Sequence, residues 1–315
     1  TVVYVQDILD DRFRTADEVS MRLGVQVLAM IRRLDETHRS GVEAILSFVS
    51  PHTAATECFR TLRTALAFHS QETERLVISS SEPGDGKTTV LANLAVTLAQ
   101  AGKKTLLIDA DLRRPGLTTL VDMKGLPGLS DVLHGHDLVE EMVEDHIVRT
   151  DLAQLDILPA GPRRPNPSEL LAGERLGELL AWADANYDQI LIDSPPALVA
   201  TDTALIGRLV DGVMMVVRPE KNRRRLVTRA VDTFHSLGIP VTGIVANCVE
   251  SDAGKGYGFD YGYGYGYGDD YGYGGAAEDE IRDMLRADAT AGEADIYPME
   301  TFTFDNSTIR PRKAG

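Results

Sequence analysis

The run Ser79-Ser-Ser-Glu-Pro-Gly-Asp-Gly-Lys-Thr-Thr89 carries the residue types of a phosphate-binding loop. Gly84 and Gly86 let the backbone turn several N–H groups onto one anion. A helix opening near Gly86 adds the positive end of its dipole. Lys87 can reach the β- and γ-phosphates of a nucleotide as a point charge, and Thr88 offers a hydroxyl to Mg²⁺. Asp85 and Thr89 complete the candidate nucleotide-binding set with Gly84, Gly86, Lys87 and Thr88. The strict pattern places a glycine six residues before the lysine. Here that position is Ser81.

Two acidic sites accompany the loop. Leu106-Leu-Ile-Asp-Ala-Asp-Leu-Arg-Arg-Pro115 sets Asp109 and Asp111 at a strand end, and Ile190-Leu-Ile-Asp-Ser-Pro-Pro196 does the same for Asp193. Residues at i and i+2 on extended backbone share a side. An isolated strand-end aspartate is ordinary turn chemistry. Three of them near a phosphate loop repel one another unless a divalent cation sits among them. Thr88, Asp111 and Asp193 are the candidate metal ligands. Asn247, at the end of the last strand, is a candidate for contact with a nucleotide base, although a turn role fits it equally well.

The elements that must position these residues follow from periodicity. Short apolar runs at Leu76–Ser80, Lys104–Asp109, Leu155–Pro159, Ile190–Asp193, Gly212–Val217 and Val241–Asn247 read as strands. Helical patterns fill 86–101, 168–185, 202–210 and 222–237. Apolar strands alternating with helices argue an α/β fold: a P-loop NTPase-like, mostly parallel sheet with helices on both faces. Such a sheet binds its ligand at the carboxyl ends of the strands. Upstream, Thr15-Ala-Asp-Glu18 is a capping box that opens a helix ended by Gly24. Val25–Ile31 reads as a short strand, and 53–69 as a second helix.

Composition limits the rest. A chain of 315 residues holds one or two domains at about 150 residues each. Lys and Arg number 32 against 48 Asp and Glu, a net charge of −16, which disfavours general nucleic-acid binding. Two cysteines, Cys58 and Cys248, fit a reducing compartment better than a disulfide scaffold. No run of 18 apolar residues is present, and no signal peptide opens the chain. The first residue is Thr, which points to a processed chain or a fragment. After Glu250 the globular pattern stops. A flexible Gly/Tyr tract and then an acidic segment are expected as tail.

Taken together, Ser-x-x-Pro-Gly-x-Gly-Lys-Thr at 80–88, Asp-x-Asp-x-Arg at 109–113 and Asp-Ser-Pro-Pro at 193–196 resemble the three Walker-type motifs of bacterial tyrosine kinases. That family acts in capsule and exopolysaccharide export. Glu57-Cys-Phe-Arg-Thr-Leu-Arg63 matches the family's Glu-x-x-Arg-x-x-Arg oligomerisation motif, through Glu57, Arg60 and Arg63. Asn166-Pro-Ser-Glu-Leu-Leu171 and the Val217-Arg218 strand end also fit. The seven tyrosines Tyr257, Tyr261, Tyr263, Tyr265, Tyr267, Tyr271 and Tyr273 resemble its C-terminal acceptor cluster.

The resemblance implies a division into 1–35, a juxtamembrane-like segment; 36–52, a linker; 53–250, the kinase domain with its N-terminal oligomerisation helix; 251–275, the Gly/Tyr cluster; and 276–315, a disordered acidic tail. It implies ATP and Mg²⁺ as cofactors, with Lys87, Asp109 and Asp111 catalytic and Asp109 accepting the tyrosine proton. It also implies a ring-like homo-oligomer, a polysaccharide co-polymerase membrane segment in the same chain or a partner, and a cognate phosphotyrosine phosphatase. The place implied is the cytoplasmic face of the bacterial inner or plasma membrane.

The tyrosines lie 10 to 26 residues beyond Asn247, an extended reach of about 34 to 88 Å, so geometry permits transfer to a neighbour or within one chain. The rival reading is a ParA/MinD-like ATPase switch on the same fold. Its signature lysine would stand at position 82, where this chain has Glu82. A further rival is a non-catalytic regulator of polysaccharide polymerisation. The basic run Lys221-Asn-Arg-Arg-Arg225 reads first as a solvated helix face.

Overall fold

The computed structural model describes residues 11–13, 15–34, 41–69 and 73–249. The expectations for residues 1–10, for the Gly/Tyr cluster with its seven tyrosines and for the acidic tail lie outside the described residues.

Among the described residues, eight strands form one sheet in the order β1-β8-β7-β2-β6-β3-β5-β4. They are β1 (Val27–Arg32), β2 (Arg75–Ser80), β3 (Thr105–Asp109), β4 (Val148–Arg149), β5 (Leu155–Leu158), β6 (Gln189–Asp193), β7 (Gly212–Val217) and β8 (Val241–Val249). Neighbours pair in parallel except the short edge strand β4, which runs antiparallel to β5. The helices are α1 (Ala16–Leu23), α2 (Leu46–Val49), α3 (Ala54–Ala67), α4 (Lys87–Gln100), α5 (Gly116–Leu120) and α6 (Leu129–His134). They continue with α7 (Val139–His146), α8 (Pro167–Ala172), α9 (Glu174–Asn186), α10 (Asp202–Gly207) and α11 (Arg224–Ser236).

The continuous apolar strands are explained by their two covered faces. In β7, Val213, Met215 and Val217 pack on one side, while Met214 and Val216 pack on the other. The first face receives α6, α7, α9 and α11. The second receives α3 through Phe59, Leu62 and Leu66, and α4, whose residues Val90–Ala99 are all buried.

Two sequence expectations change. The pattern over 168–185 is two helices, α8 and α9, broken at Gly173, which is extended (φ −71°, ψ 162°) and belongs to neither. The boundaries at 35/36 and 52/53 also fail to divide the fold. Strand β1 pairs with β8 in the common sheet, and α1 packs beside it, capped by the Thr15 side chain at its start and by left-handed Gly24 at its end. Residues 41–49, expected as linker, form a 3-10 turn and α2 against α4. Ile45 is fully buried there, and Asn93 of α4 accepts the Ser47 N–H at 2.8 Å. The sequence of 35–42 is polar, which masks the apolar anchors Ile45 and Phe48 that follow it.

Candidate active site

The sheet order places the chemistry. Strand β6 lies between β2, which feeds the phosphate loop, and β3. Its register sets Asp193 beside Ile78 of β2 and Asp109 of β3. Residues distant in sequence thereby meet at the carboxyl edge, just ahead of α4.

Lys87 opens α4 and turns back over these strand ends. Its Nζ lies 3.2 Å from Asp193 Oδ1 and 3.5 Å from Asp111 Oδ2. Thr88 Oγ1 donates to Asp193 Oδ2 at 2.7 Å. Thr88, Asp111 and Asp193, the expected metal ligands, are thus brought together around Lys87. Asp109, in register with Asp193, is held by Thr118. Its Oδ2 accepts both the N–H and the hydroxyl of Thr118 at 2.7 Å, and its Oδ1 accepts the Asp111 N–H at 3.2 Å. The three carboxylates are almost wholly buried.

Burial opposes the charge on Lys87, but Asp193 and Asp111 outweigh it and hold the ammonium above its ordinary pKa. Burial likewise pushes Asp193 up, against the pull of Lys87. For Asp109, burial and the nearby Asp193 charge raise the pKa to about 7, despite the Thr118 hydrogen bonds. One lysine does not neutralise three buried acids.

The loop itself is held from the other side. Gly84 and Gly86 have φ of +78° and +92°, as the turn requires. A Cβ on Gly86 would fall 2.1 Å from Asn247 Nδ2. That amide donates to the Asp85 carbonyl at 2.8 Å, so Asn247 braces the loop, and no base contact is needed to explain it. The Asp85 side chain also turns away from the phosphate side. It accepts from Lys221 Nζ at 2.7 Å, Asn222 Nδ2 at 3.0 Å and the Glu82 N–H at 3.0 Å. Thr89 is exposed, and its carbonyl accepts from Asn93. The reading of Lys221 as part of a solvated helix face is therefore corrected: it precedes α11 and clasps the loop. No local signal in 221–225 identifies its partner, because Asp85 lies 136 residues away.

A second group missed from sequence joins two motifs. Arg113, of the Asp-x-Asp-x-Arg element, donates to fully buried Asp202 at 2.8 Å and to Ser168 Oγ at 2.7 Å. Ser168 belongs to the Asn166–Leu171 motif, and Asp202 opens α10. In the expected oligomerisation motif, Glu57 and Arg60 pair at 2.8 Å, and Arg63 donates to the Thr97 carbonyl near the end of α4.

The residues suit a magnesium nucleotide. Ser81 is buried beside the loop, and among the described residues its hydroxyl has no hydrogen-bond partner. Among the described residues, no three His, Cys, Asp or Glu side chains form a metal cage of their own. Mg²⁺ characteristically binds one or two carboxylates plus substrate phosphates, and Thr88, Asp111 and Asp193 provide the protein share of such a set.

A β-α-β phosphate loop with strand-end aspartates defines a P-loop nucleotide-binding domain. The family described as an AAA domain matches residues 73–233. Tyrosine-protein kinase YwqD of Bacillus subtilis is 34% identical over 217 residues, covering 68% of this chain and 90% of that protein. Tyrosine-protein kinase wzc of Salmonella typhimurium is 39% identical over 207 residues, covering 65% of this chain but only 28% of that longer protein. The solved kinase domain of Escherichia coli tyrosine kinase ETK superposes with a TM-score of 0.68 at 32% identity, over 79% of this chain and all of that one. The chain belongs to the tyrosine-protein kinases of this bacterial family, and its described residues form their kinase domain. Among the described residues no helix is long and apolar enough to cross a membrane.

Proposed function

We propose that this chain is an ATP-dependent protein-tyrosine kinase that phosphorylates the tyrosine cluster Tyr257–Tyr273 of a neighbouring copy. The observation that carries the reading is the charge imbalance at Lys87: three buried carboxylates share one cation at the edge of a phosphate loop.

When bound, MgATP supplies the transferable phosphoryl group and the divalent charge that offsets the acids. Lys87 and the loop N–H groups orient the phosphates, with Gly84 and Gly86 giving the backbone close approach. Thr88, Asp111 and Asp193 hold the ion. Lys221, Asn222 and Asn247 fix the loop from behind. A tyrosine hydroxyl has a pKa of about 10. Asp109, in register with Asp193 and hydrogen-bonded through Oδ2 to Thr118, takes that proton once Oδ2 parts from Thr118. Asp111→Asn then removes a metal ligand, and Asp109→Asn removes the proton acceptor.

The proposed setting is a ring-like homo-oligomer that works with a polysaccharide co-polymerase membrane segment and is opposed by a phosphotyrosine phosphatase. The site of action proposed is the cytoplasmic membrane face, where phosphorylation regulates exopolysaccharide or capsule export. Incubation with ATP and Mg²⁺, followed by mass spectrometry of residues 256–315, tests the activity. Phosphotyrosine is the expected product. ADP without phosphotyrosine would replace the reading with a MinD-like ATPase switch.

A further inference from the structure

A cavity of about 560 Å³ opens behind the carboxylate cluster. Gly116 and Thr118 form the wall it shares with the active site. A Cβ on Gly116 would lie 3.0 Å from Thr88 Oγ1, and Thr118 holds Asp109. The outer lining carries three cations, Arg114, Lys124 and Arg163, from separate segments. All three are exposed, and among the described residues none has an acid within ion-pair distance. Adjacent Arg164, by contrast, is paired with Asp131 at 2.8 Å. In a chain of net charge −16, three unpaired cations around one recess form a local reversal of sign.

The acceptor tract has the opposite charge. It contains Asp260, Asp269 and Asp270, and two of its tyrosines follow an aspartate directly: Asp260-Tyr261 and Asp270-Tyr271. The other five follow glycine. Consecutive Cα atoms are about 3.8 Å apart. Adjacent side chains on an extended segment point to opposite sides, so a tyrosine presented to Asp109 can turn its preceding carboxylate toward the recess beyond Gly116 and Thr118.

Resting on the kinase reading above, we propose that this recess binds aspartate carboxylates of the acceptor tract of a second copy of the chain. It thereby makes Tyr261 and Tyr271 the preferred acceptors. Arg114, Lys124 and Arg163 are specificity-determining residues in this scheme, acting on the flanking acid and leaving the reacting hydroxyl to the site already described.

Binding is measured first with probes that cannot be phosphorylated. The receptor is the full chain carrying D260N, D269N and D270N, so that its own tract does not compete. The probe is a fluorescein-labelled peptide of residues 256–274 with every tyrosine replaced by phenylalanine. A second probe also has its three aspartates replaced by asparagine. Two exposed ion pairs give the acidic probe roughly tenfold tighter binding, and the advantage shrinks as salt rises. K124A/R163A in the same receptor, with an unchanged circular dichroism spectrum, abolishes the advantage. Equal affinity for the two probes, or an advantage that survives K124A/R163A, overturns the proposal. In the unmodified chain with ATP and Mg²⁺, early time points show phosphate on Tyr261 and Tyr271 before the other five. Uniform appearance over all seven overturns the preference. Failure of the kinase reading is distinct: phosphotyrosine is then absent while the difference between the probes persists.

Discussion

Two acidic regions flank the phosphate loop, and they are built on opposite principles. On one side, the single carboxylate of Asp85 is met by an ammonium, an amide and a backbone N–H. Its charge is matched and its hydrogen-bonding capacity is used. On the other, Asp109, Asp111 and Asp193 surround one lysine. Burying a carboxylate is costly unless it is paired, so the first arrangement holds a shape and the second holds an excess of negative charge. The difference separates scaffold from site: a finished ion pair explains itself, whereas an unfinished one calls for a further cation.

Breaking the cluster has the largest effect. Lys87→Ala removes the one cation that orients the phosphates, and phosphotyrosine formation falls by about 10²–10³, as for loss of a transition-state donor in other sites. Mass spectrometry of the tail peptide checks it. Completing the cluster comes next. Mg-nucleotide at a hundred times its dissociation constant stabilises the folded chain by about 2.7 kcal/mol, and the gain disappears when EDTA removes the ion. Thermal melts with and without chelator read this directly.

The clamp is tested from its other partner. Lys221→Met strands the buried Asp85 charge. Because Lys221 is about a third exposed, the usual cost of breaking a buried pair is reduced to about 1–2 kcal/mol, seen as a lower urea midpoint. Asp193→Asn is the contrasting change. It relieves the crowd of acids, so ligand-free stability holds or rises while stabilisation by Mg-nucleotide is lost.

A pH series sharpens the comparison further. The folded pKa of Asp109 is raised to about 7, above its unfolded value near 4. The unfolded chain releases this proton first, so ligand-free stability declines as pH rises from about 4 to about 7 and levels off above. Asp109→Asn removes its share of that decline. A stability-versus-pH series in both proteins checks the sign. A decline of the same size in the variant would assign it to Asp193, whose pKa is raised as well.

Much of this was legible in one dimension. Strict apolar runs between helical patterns gave six strands to within a residue or two, because a strand buried on both faces admits few polar residues. The loop and its aspartates were legible because phosphate binding needs glycine, lysine and threonine at fixed local spacing. The Thr15 cap and the Gly24 stop were legible for the same reason: each acts within one helical turn.

What required the tertiary structure was every partner distant in sequence. The polar stretch before Ile45 hid a segment anchored by Ile45, Phe48 and an Asn93 hydrogen bond. Lys221 looked like one more surface cation until β7 delivered it to Asp85. Arg113 found Asp202 only when β3 and α10 met at the same edge. The side-by-side placement of Asp109 and Asp193 depends on β6 inserting between β2 and β3, a choice of strand order that no local pattern encodes. Composition and spacing determined which groups could handle a phosphate. Long-range pairing decided which of them face it and which merely hold the loop in place, since only folding brings charges together closely enough in a low-dielectric interior to be balanced or left over.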